Sequence, residues 1–169
     1  MNLHAINGSA SSIRKVSGLI LISVISACVF AMAQSPRSIT IKMLDSKTGE
    51  TISTSEFQIW IGESVANART GRNPDQWVKP TKDGIGEATF KPGAGVITVH
   101  AQDPSSWGYV NCDAVKFLGY RPEQWYSIAQ IVESGIAAPN HCSRRSEVAK
   151  PGEFVFFVRP MTFWEKMRE

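Results

Sequence analysis

The sequence predicts an all-β fold: a single antiparallel β-sandwich of about seven short strands, followed by a short C-terminal helical turn. Three observations predict it. Apolar residues recur with period two in short runs, turn chemistry punctuates those runs at close intervals, and no segment after Arg37 carries a convincing amphipathic helical pattern. The chain divides into a leader over 1–33, a sandwich over 37–160 and a tail over 161–169.

The elements follow in order from Ser38. Ile39, Ile41 and Met43 alternate with Thr40 and Lys42, the pattern of a strand with one buried face. Asp45 to Glu50 is polar, and Gly49 suits the positive φ of a tight turn. Phe57, Ile59 and Ile61 alternate again, with Gln58 and Trp60 on the opposite face. Glu63 to Val78 has no period and carries Gly71, Asn73 and Pro74, which predicts a long surface loop of the kind that carries contacts. Asp83-Gly84 and Pro92-Gly93-Ala94-Gly95 mark turns around a strand over 85–90. Val96 to Ala101 is the next strand, with His100 expected on its solvent side.

Trp107 to Phe117 and Trp125 to Val132 read as two more strands, split at Pro122. Glu133 to Gly152 is irregular. Phe154 to Val158 is continuously apolar, which predicts a strand buried on both faces. Thr162-Phe163-Trp164-Glu165 has the spacing of a capping box, and Phe163, Trp164 and Met167 are expected to dock on the sandwich, the alternative being an apolar patch presented to a partner or a membrane surface.

The chain has 169 residues, 43% of them apolar and 20% charged, a globular balance for one domain. Arg14 and Lys15, the apolar run from Val16 and the Ala31-Met32-Ala33 sequence form a signal peptide cleaved after Ala33. Ile25-Ser26-Ala27-Cys28 also resembles a lipobox, in which Cys28 would carry lipid. Both readings place the domain outside the cytoplasm, secreted or periplasmic in the first case and lipid-anchored in the second, with no transmembrane helix after processing. Without the two basic leader residues, 16 of the 18 Lys and Arg remain against 15 acidic residues, and no basic run survives to favour nucleic acid. Cys112 and Cys142 are then the two remaining cysteines, expected to pair in an oxidising compartment.

The motifs from Ile39 to Ala101 resemble the carboxypeptidase-regulatory-like and transthyretin-like sandwich families. They are Asp45 to Glu50, Phe57 to Ile61, Thr81-Lys82-Asp83-Gly84, Ala88-Thr89-Phe90, Pro92-Gly93 and Val96 to Ala101, in that order over about half of the chain beyond the leader. The resemblance implies an Ig-like or transthyretin-like fold and no activity. The second half looks like uncharacterised exported bacterial proteins.

No catalytic constellation is expected. His141 adjoins Cys142, but neighbouring residues rarely face one another, and no Gly-x-Ser-x-Gly elbow occurs. His100 and His141 are too few to frame a zinc or iron site, and the hydrolase and dioxygenase signatures of the transthyretin-like sandwiches are missing, so no metal or cofactor is expected. Asp45, Glu50, Asp83, Asp103 and Asp113 lie in or beside turns, where Asp bonds its own backbone more often than calcium. The five tryptophans are the most suggestive feature, above all Trp77 at the end of the long loop and Trp107 after the Asp103 turn. The expectation is a non-catalytic binding or scaffolding module contacting a protein or polysaccharide outside the cytoplasm. The alternatives are a carbohydrate-binding module using Trp77 and Trp107, or a hydrolase with an unfamiliar site.

Overall fold

A computed structural model describes residues 37–53, 56–102, 108–114 and 123–167. The leader, Cys28 and Trp107 lie outside the described residues. In chain order the elements are β1 (Arg37–Asp45), β2 (Glu56–Gly62), β3 (Gln76–Val78), β4 (Ile85–Phe90), β5 (Val96–Gln102), β6 (Tyr109–Asn111), β7 (Tyr126–Ser127), α1 (Ile128–Ser134), β8 (Ile136–Ala137), β9 (Glu153–Pro160) and α2 (Phe163–Lys166).

The strands form two sheets, as an all-β sandwich requires. One runs β4-β1-β9-β6 with β8 also on β9, and the other runs β3-β2-β5-β7. Most pairings are antiparallel, but β1 and β8 each pair parallel to β9, so the first sheet is mixed where a purely antiparallel one was expected. The parallel pairing joins the first and last strands of the domain, and such a long-range partnership leaves no local sequence mark.

Alternation places Ile39, Ile41 and Met43 of β1, Phe57 and Ile59 of β2, and Ile97 and Val99 of β5 in one interior with Phe154, Phe156 and Val158 of β9. Phe57 meets Phe156 edge to face at 5.7 Å, a favoured aromatic geometry. Gly86 of β4 makes this approach feasible, since a Cβ there would sit 2.6 Å from Phe57 Cε2 and 2.6 Å from Val78 Cγ1.

The continuous apolar run of β9 is buried on both sides, as expected. Its second face, Val155 and Phe157, packs with Leu44 and Cys112 against Ala137, Cys142 and Ala149. The covering strap is the irregular segment over 138–149. It is held by the Cys112–Cys142 disulfide, with Cα atoms 5.4 Å apart. Ala138 N–H donates to the Val155 carbonyl at 2.8 Å, and the Asn140 side-chain amide donates to the Ser46 carbonyl at 2.9 Å.

Trp125 to Val132 departs from the strand expected there. After the short β7, Ser127 accepts the Gln130 N–H as an N-cap, α1 buries Ile128 and Ile131, and Gly135 at φ 75° ends the helix. A short apolar run fits strand and helix alike, and here the cap and the terminal glycine decide.

Two side-chain amides join the edges of the sheets. Gln76 of β3 bonds both backbone groups of Thr89 on β4. Asn111 of β6 accepts from Ala101 N–H and donates to the Val99 carbonyl on β5. Each amide stands in for the peptide group of a missing neighbouring strand, satisfying edge groups that would otherwise be open to pairing.

Candidate binding face

The strap covers the outer face of the first sheet at Leu44, Val155 and Phe157, and leaves Ile85, Glu87 and Thr89 of β4 exposed. The outer face of the second sheet is built by the other half of the alternation that fills the core. Glu56, Gln58 and Trp60 of β2 point away from Phe57 and Ile59, and Thr98 and His100 of β5 point away from Ile97 and Val99. Register then sets a row across three strands, because Gln58 lies opposite Trp77 on β3 and opposite His100 on β5.

Trp77 is 53% exposed at the edge end of this row. Trp60, one row along, is buried by the loop between β2 and β3. That loop buries Ala68 and turns the Gly71 carbonyl onto the Trp60 indole N–H at 3.2 Å. Asp75 ties the loop to β2, accepting from Ile61 N–H at 2.7 Å. Thr70 donates to the Glu123 carboxylate and so joins the loop to the segment leading into β7. The long segment expected to be all contact surface is therefore partly a lid on Trp60, and its exposed aromatic is Trp77.

His100 was expected to face solvent, and the structure corrects this. It is half-buried with its ring 5.0 Å from that of Trp60, the diagonal neighbour across β2 and β5. Burial lowers its pKa against the pull of the Asp113 and Glu123 carboxylates. At neutral pH the imidazole is accordingly uncharged, with one nitrogen donating and the other accepting.

Close to His100, but off the row, lies a polar cluster of Asp113 and Tyr126, with the Tyr126 ring 4.8 Å from that of Phe154 in the core. Tyr126 O–H donates to Asp113 Oδ2 at 2.9 Å. Burial pushes the Asp113 carboxyl up, opposed by the Tyr126 hydrogen bond. Burial and the neighbouring carboxylate drive the Tyr126 phenol far above its ordinary range. The disulfide positions this cluster, since Cys112 precedes Asp113, Cys142 follows His141, and His141 N–H donates to the Cys112 carbonyl at 2.8 Å.

Of the residues singled out in the sequence, Cys112 and Cys142 form the bridge and Trp77 is exposed. Asp45 bonds its own turn, accepting from Lys47 and Thr48 N–H at 2.9 and 2.8 Å. Burial opposes ionisation there, but those amides hold its pKa below the ordinary value. Among the described residues, no three His, Cys, Asp or Glu side chains converge in a way that would hold a metal. The sequence reading missed Gln58, Asp113 as the Tyr126 acceptor, and Asn111. Only the register of β2 against its two neighbours reveals the first, and the other two depend on contacts between distant segments.

The tail also departs from expectation. The capping box forms with both of its reciprocal bonds, yet Phe163, Trp164 and Met167 are 65%, 72% and 69% exposed rather than docked. Compared with protein-family models, with curated proteins and with solved structures, the chain matches none of them.

Proposed function

We propose that this is an exported, non-catalytic binding module of the carboxypeptidase-regulatory-like or transthyretin-like kind, and that it holds a polysaccharide on the outer face of its second sheet. The observation that carries the reading is the row Trp77–Gln58–His100, an exposed indole face in line with an amide and a neutral imidazole. A pyranose ring offers an apolar C–H face to stack on Trp77 and hydroxyls for the flanking polar groups. Export is supported by the leader sequence and by the disulfide, a bond of oxidising compartments.

The test is a glycan array and polysaccharide pull-down with the wild type and Trp77→Ala. The wild type retains at least one pyranose polymer. The variant loses tenfold or more in affinity, about 1.4 kcal/mol, with its melting temperature unchanged because Trp77 is half exposed. A blank array for the wild type, or equal binding by the variant, refutes the proposal.

A second reading, a hydrolase with an unfamiliar site, draws on the Asp113–Tyr126 pair beside His100 and His141. Asp113→Asn abolishing turnover of a chromogenic ester or glycoside panel would establish it over the first.

A further inference from the structure

We propose that the C-terminal turn is a lipid-contact element that inserts Phe163, Trp164 and Met167 into the interface of a bilayer. Phe163 and Met167 are four residues apart and Trp164 and Met167 three, so all three share one side of α2. Their exposure is built in rather than a result of fraying. Thr162 accepts the Glu165 N–H while the Glu165 carboxylate accepts the Thr162 N–H, closing the capping box. Arg159 near the end of β9 donates to the same carboxylate from both terminal guanidinium nitrogens, Nη2 at 2.6 Å and Nη1 at 2.8 Å. Met161 N–H is fixed to the Gly108 carbonyl at 2.8 Å. The turn is thus anchored through its polar atoms, and among the described residues α2 makes no extended contact with any strand.

Size and chemistry select the occupant. At about 200 Å² per large side chain, the three exposed fractions amount to about 400 Å² of apolar surface. A stable protein interface needs about 800 Å² from each partner, so this patch is too small to hold a second copy or another folded domain by itself. A bilayer interface needs no shape complementarity, takes up Trp and Phe side chains, and tolerates a short helix lying in its plane. The Glu165 carboxylate is paired with the Arg159 guanidinium, so it does not oppose approach to anionic headgroups.

β1 and β9 run parallel, with Thr40 level with Glu153 and Asp45 level with Val158. The turn after Pro160 therefore lies at the end of the sandwich opposite Arg37, roughly 30 Å away at 3.3 Å per residue.

The experiment uses the full chain labelled with 5-fluorotryptophan, with vesicles of phosphatidylcholine and phosphatidylglycerol carrying a spin-labelled lipid. Trp164 is assigned from Trp164→Phe. Trp77 serves as the exposed reference and Trp60 as the buried one. The proposal expects the Trp164 fluorine line to broaden at least threefold more than the Trp77 line, and the excess to vanish in a Phe163→Ser/Met167→Ser variant whose Trp60 line is unchanged. It is overturned by equal broadening of Trp164 and Trp77, by no broadening of either, or by the variant keeping the wild-type excess. A Trp164 line that shifts with protein concentration in lipid-free solution would assign the patch to a second copy and overturn it as well.

Discussion

Removing the Cys112–Cys142 bridge, as Cys112→Ala/Cys142→Ala, is expected to cost about 3.6 kcal/mol. The two residues are 30 apart in sequence. The chain-entropy relation for a loop of that length gives an entropy of about 12 cal/mol/K, or about 3.6 kcal/mol at 25 °C. The bridged loop contains β7, α1 and β8 and leads into the strap over Val155 and Phe157. For a domain of this size, such a loss lowers the melting temperature by roughly 10–15 °C. Urea unfolding of the oxidised wild type and the double variant, followed by tryptophan fluorescence, measures it. The same experiment with reduced wild type should match the variant within about 1 kcal/mol, since the bridge is missing in both. A difference below about 1 kcal/mol between wild type and variant would show that the strap holds itself in place, and would refute the claim that the bridge pins the second half of the domain.

Three further outcomes follow from named contacts. Gly86→Ala drives a methyl into Phe57 and Val78 and is expected to cost about 1–3 kcal/mol by overpacking, read as a lower urea midpoint at unchanged slope. Wild-type stability in the variant would place Phe57 elsewhere. The Ser46 hydroxyl is fully buried without a hydrogen-bond partner among the described residues, so Ser46→Ala should leave stability equal or higher, and a loss above about 1 kcal/mol would reveal a partner. Asp113 has its pKa raised above the ordinary 3.8, so its ionisation costs the folded state stability once pH rises through the folded value. Asp113→Asn, which keeps an acceptor for Tyr126, should therefore exceed wild type in stability at pH 7 and lose that advantage as pH falls toward 3.8; a variant less stable at pH 7 contradicts the assignment.

Much of the sandwich is legible in local pattern. Ile39-Ile41-Met43 and Phe57-Ile59-Ile61 announce β1 and β2 through period two, and the run from Phe154 to Val158 announces a strand covered twice. What covers it is not legible. The strap is polar and aperiodic and is held by one disulfide and by bonds to Ser46 and Val155, all between residues distant in sequence. The parallel partnership of β1 with β9 is hidden for the same reason. α1 is misread because Ile128, Ile131 and Val132 satisfy either element type, leaving Ser127 and Gly135 as the deciding residues. In the candidate site, Trp77 stands out from its place at the end of an irregular loop. Its neighbours do not, because Gln58 and His100 become members of one row only when the registers of two strand pairs are known. His100 looks solvent-facing by alternation alone, and it is Trp60, held down by the Gly71 carbonyl, that half-covers it.

The binding claim is tested most directly by following the tryptophan indole N–H resonances while the protein is titrated with an oligosaccharide of the polymer it retains. The account predicts saturable movement of the Trp77 resonance, with Trp60, bonded to Gly71 beneath its loop, moving little. Movement confined to Trp164, or a Trp77 resonance that stays fixed while binding proceeds, would contradict it.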